Sequence, residues 1–235
     1  MAVVCAGMVA GLAHLAQQQQ PEPAEGPVSV PLPPLIAPPA AWQPVAQPEP
    51  LYALEGISRS TYDLEVRRHV DGRREDTMTF GSFGDTGFGL LRMTRGASEP
   101  EATSFYVVLV RQAAQAGLSV VRSTQAAPLA TKFGPAEIAE VKMAGISGEA
   151  AAGPSDATCL AWRVSVPDDQ FSVSGWVCGS ADQPAGAAQI ACLIDRLTLA
   201  DGEDAGLNVL FAQAERRRIE ACRPPGPRVA SARKP

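Results

Sequence analysis

Polar and apolar residues alternate on both sides of a turn in CLAWRVSVPDDQFSVSGWVC, residues 159–178. Such alternation marks half-buried strands, and Pro167-Asp168-Asp169-Gln170 supplies the turn between two of them. Folding about that turn with Val166 opposite Phe171 sets Leu160 against Val177, Val164 against Val173, and Trp162 against Gly175. One face of the hairpin is then apolar apart from the glycine, whose bare backbone the large aromatic covers. The other face carries Ala161 with Trp176 and Arg163 with Ser174. The same register brings Cys159 opposite Cys178, where Cα atoms lie about 4.5–5.5 Å apart, within disulfide reach. A slip of one residue would break the apolar face and the cysteine pairing together.

The same alternation recurs upstream. In TYDLEVRRHV, residues 61–70, Tyr62, Leu64, Val66 and Val70 face one way and Asp63, Glu65, Arg67 and His69 the other, with Asp71-Gly72 turning the chain. Residues 74–96, REDTMTFGSFGDTGFGLLRMTRG, predict two more strands around a glycine-rich turn. LSVVRS (118–123) predicts a strand, and TKFGPAEIAEVKMAG (131–145) an edge strand, although Pro135-Ala136-Glu137 also reads as a helix start. Helical spacing replaces alternation elsewhere. Ser98-Glu99-Pro100-Glu101 is a capping box opening a helix of about eighteen residues that ends before Gly117, with Phe105, Val108, Leu109, Gln112, Ala113 and Ala116 inward. Asp182 can cap a helix through about Leu199, and Asp204 a last one with the stripe Leu207, Leu210, Phe211 and Ala214. Strands in runs with helices inserted and appended imply an α+β fold. The expectation is an antiparallel sheet of about five to seven strands with about three helices on one face.

Composition divides the chain into four. Residues 1–16 hold an uncharged apolar run that would make a helix of about 22 Å, short of the roughly 30 Å hydrocarbon core. That length suits a signal peptide or short membrane anchor, with cleavage near Ala13 or Ala16, although the first basic residue is Arg59. A buried N-terminal helix of a cytosolic protein is the alternative. Residues 17–50 are a Gln/Pro-rich linker, expected to be disordered or extended, with eleven prolines in the last thirty positions. Residues 51–222 form the globular domain, and 223–235 a basic disordered tail. Neither linker nor tail has a periodic apolar face, so both are expected to be dispensable for folding. The net charge of −5 conceals seven Arg/Lys against one Glu in residues 216–235, which leaves the rest of the chain at about −11. Seventeen arginines to three lysines, with a single asparagine, fit a high-GC bacterial genome. No finger, helix-turn-helix or basic–aromatic stripe points to nucleic acid.

Candidate chemistry is sparse. With Cys5 in the N-terminal run, Cys159, Cys178, Cys192 and Cys222 remain, an even number. If the hairpin pair forms, Cys192–Cys222 follows by elimination. In a plain antiparallel helix pair those two would sit about 13 Å and 27 Å from the turn, so the bridge requires steeply crossed helices or a last helix that ends early and folds back. No Cys-x-x-Cys occurs, and the cysteine spacings match no zinc pattern. His69 lies among Arg67, Arg68, Arg73 and Arg74, a possible weak anion-binding patch. GSFGDTGFG (81–89) lacks the lysine and the strand–helix context of a phosphate loop and reads as a turn. Asp168 and Asp169 serve their turn, Asp182 and Asp204 their caps; no catalytic residue, metal or cofactor is assigned. The architecture suggests an exported or membrane-tethered bacterial cell-envelope protein with a non-catalytic binding or scaffolding role. Its expected contacts are an envelope protein or polymer, and the membrane through its N-terminus. Alternatives are a periplasmic hydrolase using Asp/Glu from residues 61–95, or a cytosolic protein that docks through its N-terminus.

Overall fold

In the computed structural model, the hairpin forms in the register that its apolar alternation dictates. Phe171 pairs with Val166, Gly175 with Trp162, and Cys178 with Cys159. Pro167–Asp169 make a single 3-10 turn, and Gln170 closes it in the left-handed region at φ 48°. The structure describes residues 41–96, 103–146, 156–180, 182–200, 202 and 204–222.

In chain order the elements are β1 (Trp42–Pro44), β2 (Tyr52–Leu54), β3 (Asp63–His69), β4 (Arg74–Phe80), β5 (Gly89–Arg95), α1 (Phe105–Gln115), β6 (Leu118–Ser123), β7 (Ala127–Thr131), β8 (Gly134–Gly145), β9 (Asp156–Val166), β10 (Phe171–Cys178), α2 (Ala187–Asp195), β11 (Leu197–Leu199) and α3 (Ala205–Arg216). The main sheet is antiparallel throughout, in the order β1-β3-β4-β5-β10-β9-β8-β6, with β7 also pairing β8. Its nine strands exceed the five to seven expected. β11 and β2 form a separate two-stranded ribbon. Trp42–Pro44 belong to the sheet, although they fall in the stretch read as linker. β8 is an internal strand, not an edge, because β9 lies on one side and β6 and β7 share the other.

Helices cover both faces of the sheet, where the sequence suggested one. The cause lies in the central strands, which are apolar on both sides. Trp162, Val164, Phe171 and Val173 pack under α2, α3 and the β2–β11 ribbon. Cys159, Ala161, Trp176 and Cys178 pack with Phe105, Leu109 and Ala113 of α1, which carries the chain across from β5 to β6. Each layer removes its own apolar area from water, which is the main force holding such a sandwich together.

Two helices are shorter than their periodicity suggested. α1 starts at Phe105, capped by the Ser104 hydroxyl accepting from the Val107 amide at 3.3 Å. The capping box at Ser98–Glu101 lies outside the described residues. α2 starts after Gly186, not Asp182, with Pro184 and Gly186 between, both weak residues for a helix interior. It stops at Asp195 because Leu197-Thr198-Leu199 pairs with β2. α3 begins as expected, with the Asp204 carboxylate accepting from the Leu207 amide at 3.0 Å.

Both disulfides are present. Cys159–Cys178 joins neighbouring strands with Cα atoms 3.8 Å apart, closer than the usual cross-strand spacing. Cys192–Cys222 has Cα atoms 5.0 Å apart. The last helix does end early and fold back. Past Arg216 the chain turns, the Ile219 amide donates to the Asp195 carboxylate at 2.9 Å, and a 3-10 turn at Glu220–Cys222 brings the sulfur to α2. Asp195 is fully buried, and Arg218 satisfies it at 3.1 Å while also pairing with Glu55.

Candidate functional site

The face of the sheet under α1 changes character along the strands. At one end a row of partners, Ala139–Ala161–Trp176–Leu90, is apolar and lies beneath the helix. Two residues further along, the row reads Glu137–Arg163–Ser174–Arg92–Thr77–Glu65 across six strands. The next row reads Ser165–Ser172–Thr94–Glu75–Arg67. Because side chains alternate faces at every residue, this polar field belongs wholly to one side. Beneath it, on the other side, lie Leu91, Met93, Val164 and Val173 of the main core.

A groove of about 270 Å³ opens here between α1 and the sheet. α1 lends it Val108, Arg111, Gln112 and Gln115, a stripe at helical spacing beside the buried Phe105–Leu109–Ala113 stripe. The sheet supplies Arg92, Arg163, Glu75, Ser172 and Ser174, and Trp42 and Arg73 complete the lining from the β1 side. The Gln112 amide donates to the Ser174 hydroxyl at 2.8 Å, and Arg92 Nη1 donates to Gln115 Oε1 at 2.6 Å, so helix and sheet are tied across the groove. Glu75 is buried, hydrogen-bonded by Arg67, and lies 3.6 Å from Arg92 Nε. Arg163 donates to Glu137 at 2.9 Å and to the Thr103 carbonyl at 2.9 Å. Burial pushes the pKa of Arg92 down, opposed by the charge of Glu75, yet an arginine remains a cation under such a shift.

The arginine patch suggested by the sequence is divided by the strand alternation. Arg67, His69 and Arg73 are on the groove side. Trp42 meets His69 edge-on at 5.0 Å between ring centroids, and the Arg73 guanidinium lies 5.3 Å from the Trp42 ring centre. Arg73 donates to Asp71 at 2.9 Å and holds that exposed carboxyl at a pKa of about 2. Arg68 and Arg74 pair with each other's strand on the opposite face. Arg74 there bonds the buried Asp76 at 2.6 and 2.8 Å and the Glu49 carbonyl at 2.7 Å. Five neighbours in sequence therefore do not make one patch in space.

Sequence reading missed Trp42, Arg92, Arg111 and Gln115. Arg92 had a visible signal: a lone charge within Leu90-Leu91-Arg92-Met93, at the middle of a strand bound for the core. Arg163 and Ser174 were already paired on the hairpin's second face, without a neighbour to give the pair meaning.

Other features have structural roles. Gly81, Gly84 and Gly87 all have positive φ, as a tight loop between β4 and β5 requires. The buried carboxylates of residues 61–95 do not face one space, since Glu75 is on the groove side and Asp76 on the other. A second cavity of about 280 Å³, lined by Ile57, Phe80, Val177, Cys192 and Leu193, is mainly apolar. Among the described residues, no group of three or more His, Cys, Asp or Glu is placed to hold a metal ion, and no helix is long and apolar enough to cross a membrane. No protein-family model, curated protein or solved structure matches the chain.

Proposed function

We propose that the chain is an extracytoplasmic, non-catalytic binding or scaffolding domain of the bacterial cell envelope, exported or tethered through its N-terminal apolar run. The observation that carries this reading is the pair of disulfides, each closing a local loop of the fold, since such bonds persist in oxidising compartments and are rare in the cytosol. Binding is favoured over catalysis by the groove, whose one buried carboxylate among the described residues, Glu75, is already engaged by the Arg67 guanidinium and lies 3.6 Å from Arg92. The proline-rich stretch before Ala41 supports the layout of a spacer that holds the domain away from a membrane.

The test is the compartment and covalent state of the chain in its own cell. An alkaline phosphatase fusion after about residue 50 is expected to be active, and intact mass is expected to show two disulfides that reductant opens. A fusion that stays inactive in the cytoplasm, or native material in which every cysteine is a free thiol, overturns the proposal.

A further inference from the structure

Arg92 is buried, yet among the described residues no carboxylate is hydrogen-bonded to it. Its side chain is 6 % exposed, and its hydrogen bonds run to neutral groups, Gln115 Oε1 at 2.6 Å and Thr77 Oγ1 at 3.4 Å. Its closest ionic contact is Glu75 at 3.6 Å, and that carboxylate is already bonded by Arg67. Nη2 of Arg92 has no hydrogen-bond partner among the described residues. A charge removed from water needs a matched counter-charge, and the one Arg92 has is shared. Next to it, Ser174 is buried and accepts from Gln112, which leaves its own hydroxyl hydrogen to donate. Both side chains line the groove, with Arg111 facing them from the helix.

We infer that this groove binds the oxyanion of a small organic acid, or of the acidic end of a larger molecule, with Arg92 as the anchoring cation and Ser174 as the hydroxyl donor. The inference rests on the reading of the chain as a binding domain and names the ligand chemistry. Four arginines and one glutamate line the groove; Arg163 is paired with Glu137 and Arg73 with Asp71, which leaves Arg92, with its one shared ionic contact among the described residues, as the anchoring cation. A planar guanidinium whose Nη2 is unpaired among the described residues suits a carboxylate or a phosphate, which share this recognition. The volume of about 270 Å³ lies just below the usual range for small-molecule sites and exceeds what a lone inorganic ion requires. Trp42, at the β1 end of the lining, offers a ring to whatever carries the anion.

Calorimetric titration of the oxidised full-length protein at low ionic strength tests this, with succinate and phenyl phosphate as probes and sodium chloride of matched ionic strength as the control. One saturable site is expected for at least one probe. Preference for succinate assigns a carboxylate ligand; preference for phenyl phosphate assigns a phosphorylated one. Arg92→Gln is expected to weaken that binding about tenfold or more, as loss of a charge-assisted hydrogen bond does. Ser174→Ala and Arg111→Met are milder changes that read the same site should Arg92→Gln not fold, and each is expected to weaken binding several-fold. Arg68→Ala, on the opposite face, is expected to leave it unchanged. No saturable binding of either probe, or equal losses at Arg68 and at the groove positions, overturns the inference. Such a failure would leave the export result standing, whereas a reduced cytoplasmic chain that still binds succinate would sink the envelope reading alone.

Discussion

Gly175 is fixed by its neighbours on two sides. A Cβ built there would lie 2.0 Å from the Leu90 carbonyl oxygen of β5 and 3.0 Å from Cζ2 of Trp162. The aromatic that covers the glycine thus also occupies the space a side chain would need. In an ordinary strand, replacing glycine by alanine is mildly favourable because it limits the unfolded chain. Here the backbone must move, and Gly175→Ala is expected to cost about 3 kcal/mol, at the upper end for overpacking. A denaturant midpoint equal to or above that of the parent would contradict the close approach of β5 and β10. Lys132 is a different case of enforced contact. It is fully buried in the β7–β8 turn, donating to the Leu197 carbonyl at 2.6 Å and to Glu215 at 2.8 Å. Burial lowers its pKa, opposed by Glu215. Between that lowered value and the ordinary lysine value, the unfolded chain binds more protons, so this group's contribution to stability rises with pH across the window. Lys132→Met is expected to abolish that rise and to cost about 1–3 kcal/mol at lower pH, because it leaves the Leu197 carbonyl without its donor. Denaturation midpoints of parent and variant that rise in parallel towards about pH 10 would assign the effect elsewhere.

The long hairpin could be read from the sequence because two independent constraints, a period of two and a cysteine pair, demanded one register. β3, β4, β5 and α3 were likewise legible, each carrying its own alternation or cap. β2 and β11 carry neither. They are three residues each, and only mutual pairing of Leu197 with Leu54 and Leu199 with Tyr52 makes them strands. The groove was illegible for a related reason. Its polar rows join β4, β5, β10 and β9, and no local rule places β5 next to β10 across the intervening helix and strands. The two disulfides differ in what they hold. Removing Cys159–Cys178 by double alanine substitution is expected to cost about 2–4 kcal/mol and to preserve the fold, since Leu160, Trp162, Val164, Phe171, Val173 and Val177 still specify the register. Removing Cys192–Cys222 is expected to act locally, releasing residues 217–222 from α2 and exposing the Ile219 amide now held by Asp195. Hydrogen exchange should therefore quicken at Ile219 in the second variant and not in the first. A nonreduced digest should link 159 with 178 and 192 with 222; any link between 178 and 192 would contradict both placements.

The boundary of the folded unit follows from what β1 contributes. Trp42–Pro44 pairs with β3, the Val70 amide donates to the Ala41 carbonyl at 3.0 Å, and the Val45 amide donates to the Val66 carbonyl at 2.9 Å. Further on, Arg74 reaches back to the Glu49 carbonyl. These ties close one edge of the sheet, and Trp42 both packs on His69 and lines the groove. Without β1 the β3 edge would present unpaired amides and carbonyls, and the groove would lose a wall. A chain beginning at Ala41 is therefore expected to keep the thermal midpoint of the full chain, given that residues 17–40 have the composition of a spacer. A chain beginning at Leu51 is expected to lose about 2 kcal/mol, a fall of roughly 4–8 °C for a domain of this size. It should also bind succinate or phenyl phosphate more weakly while keeping both disulfides. Equal midpoints for the two truncations would mean that β1 adds nothing to the sheet. A large loss on removing residues 1–40 alone would mean that the proline-rich stretch packs on the domain and is more than a spacer.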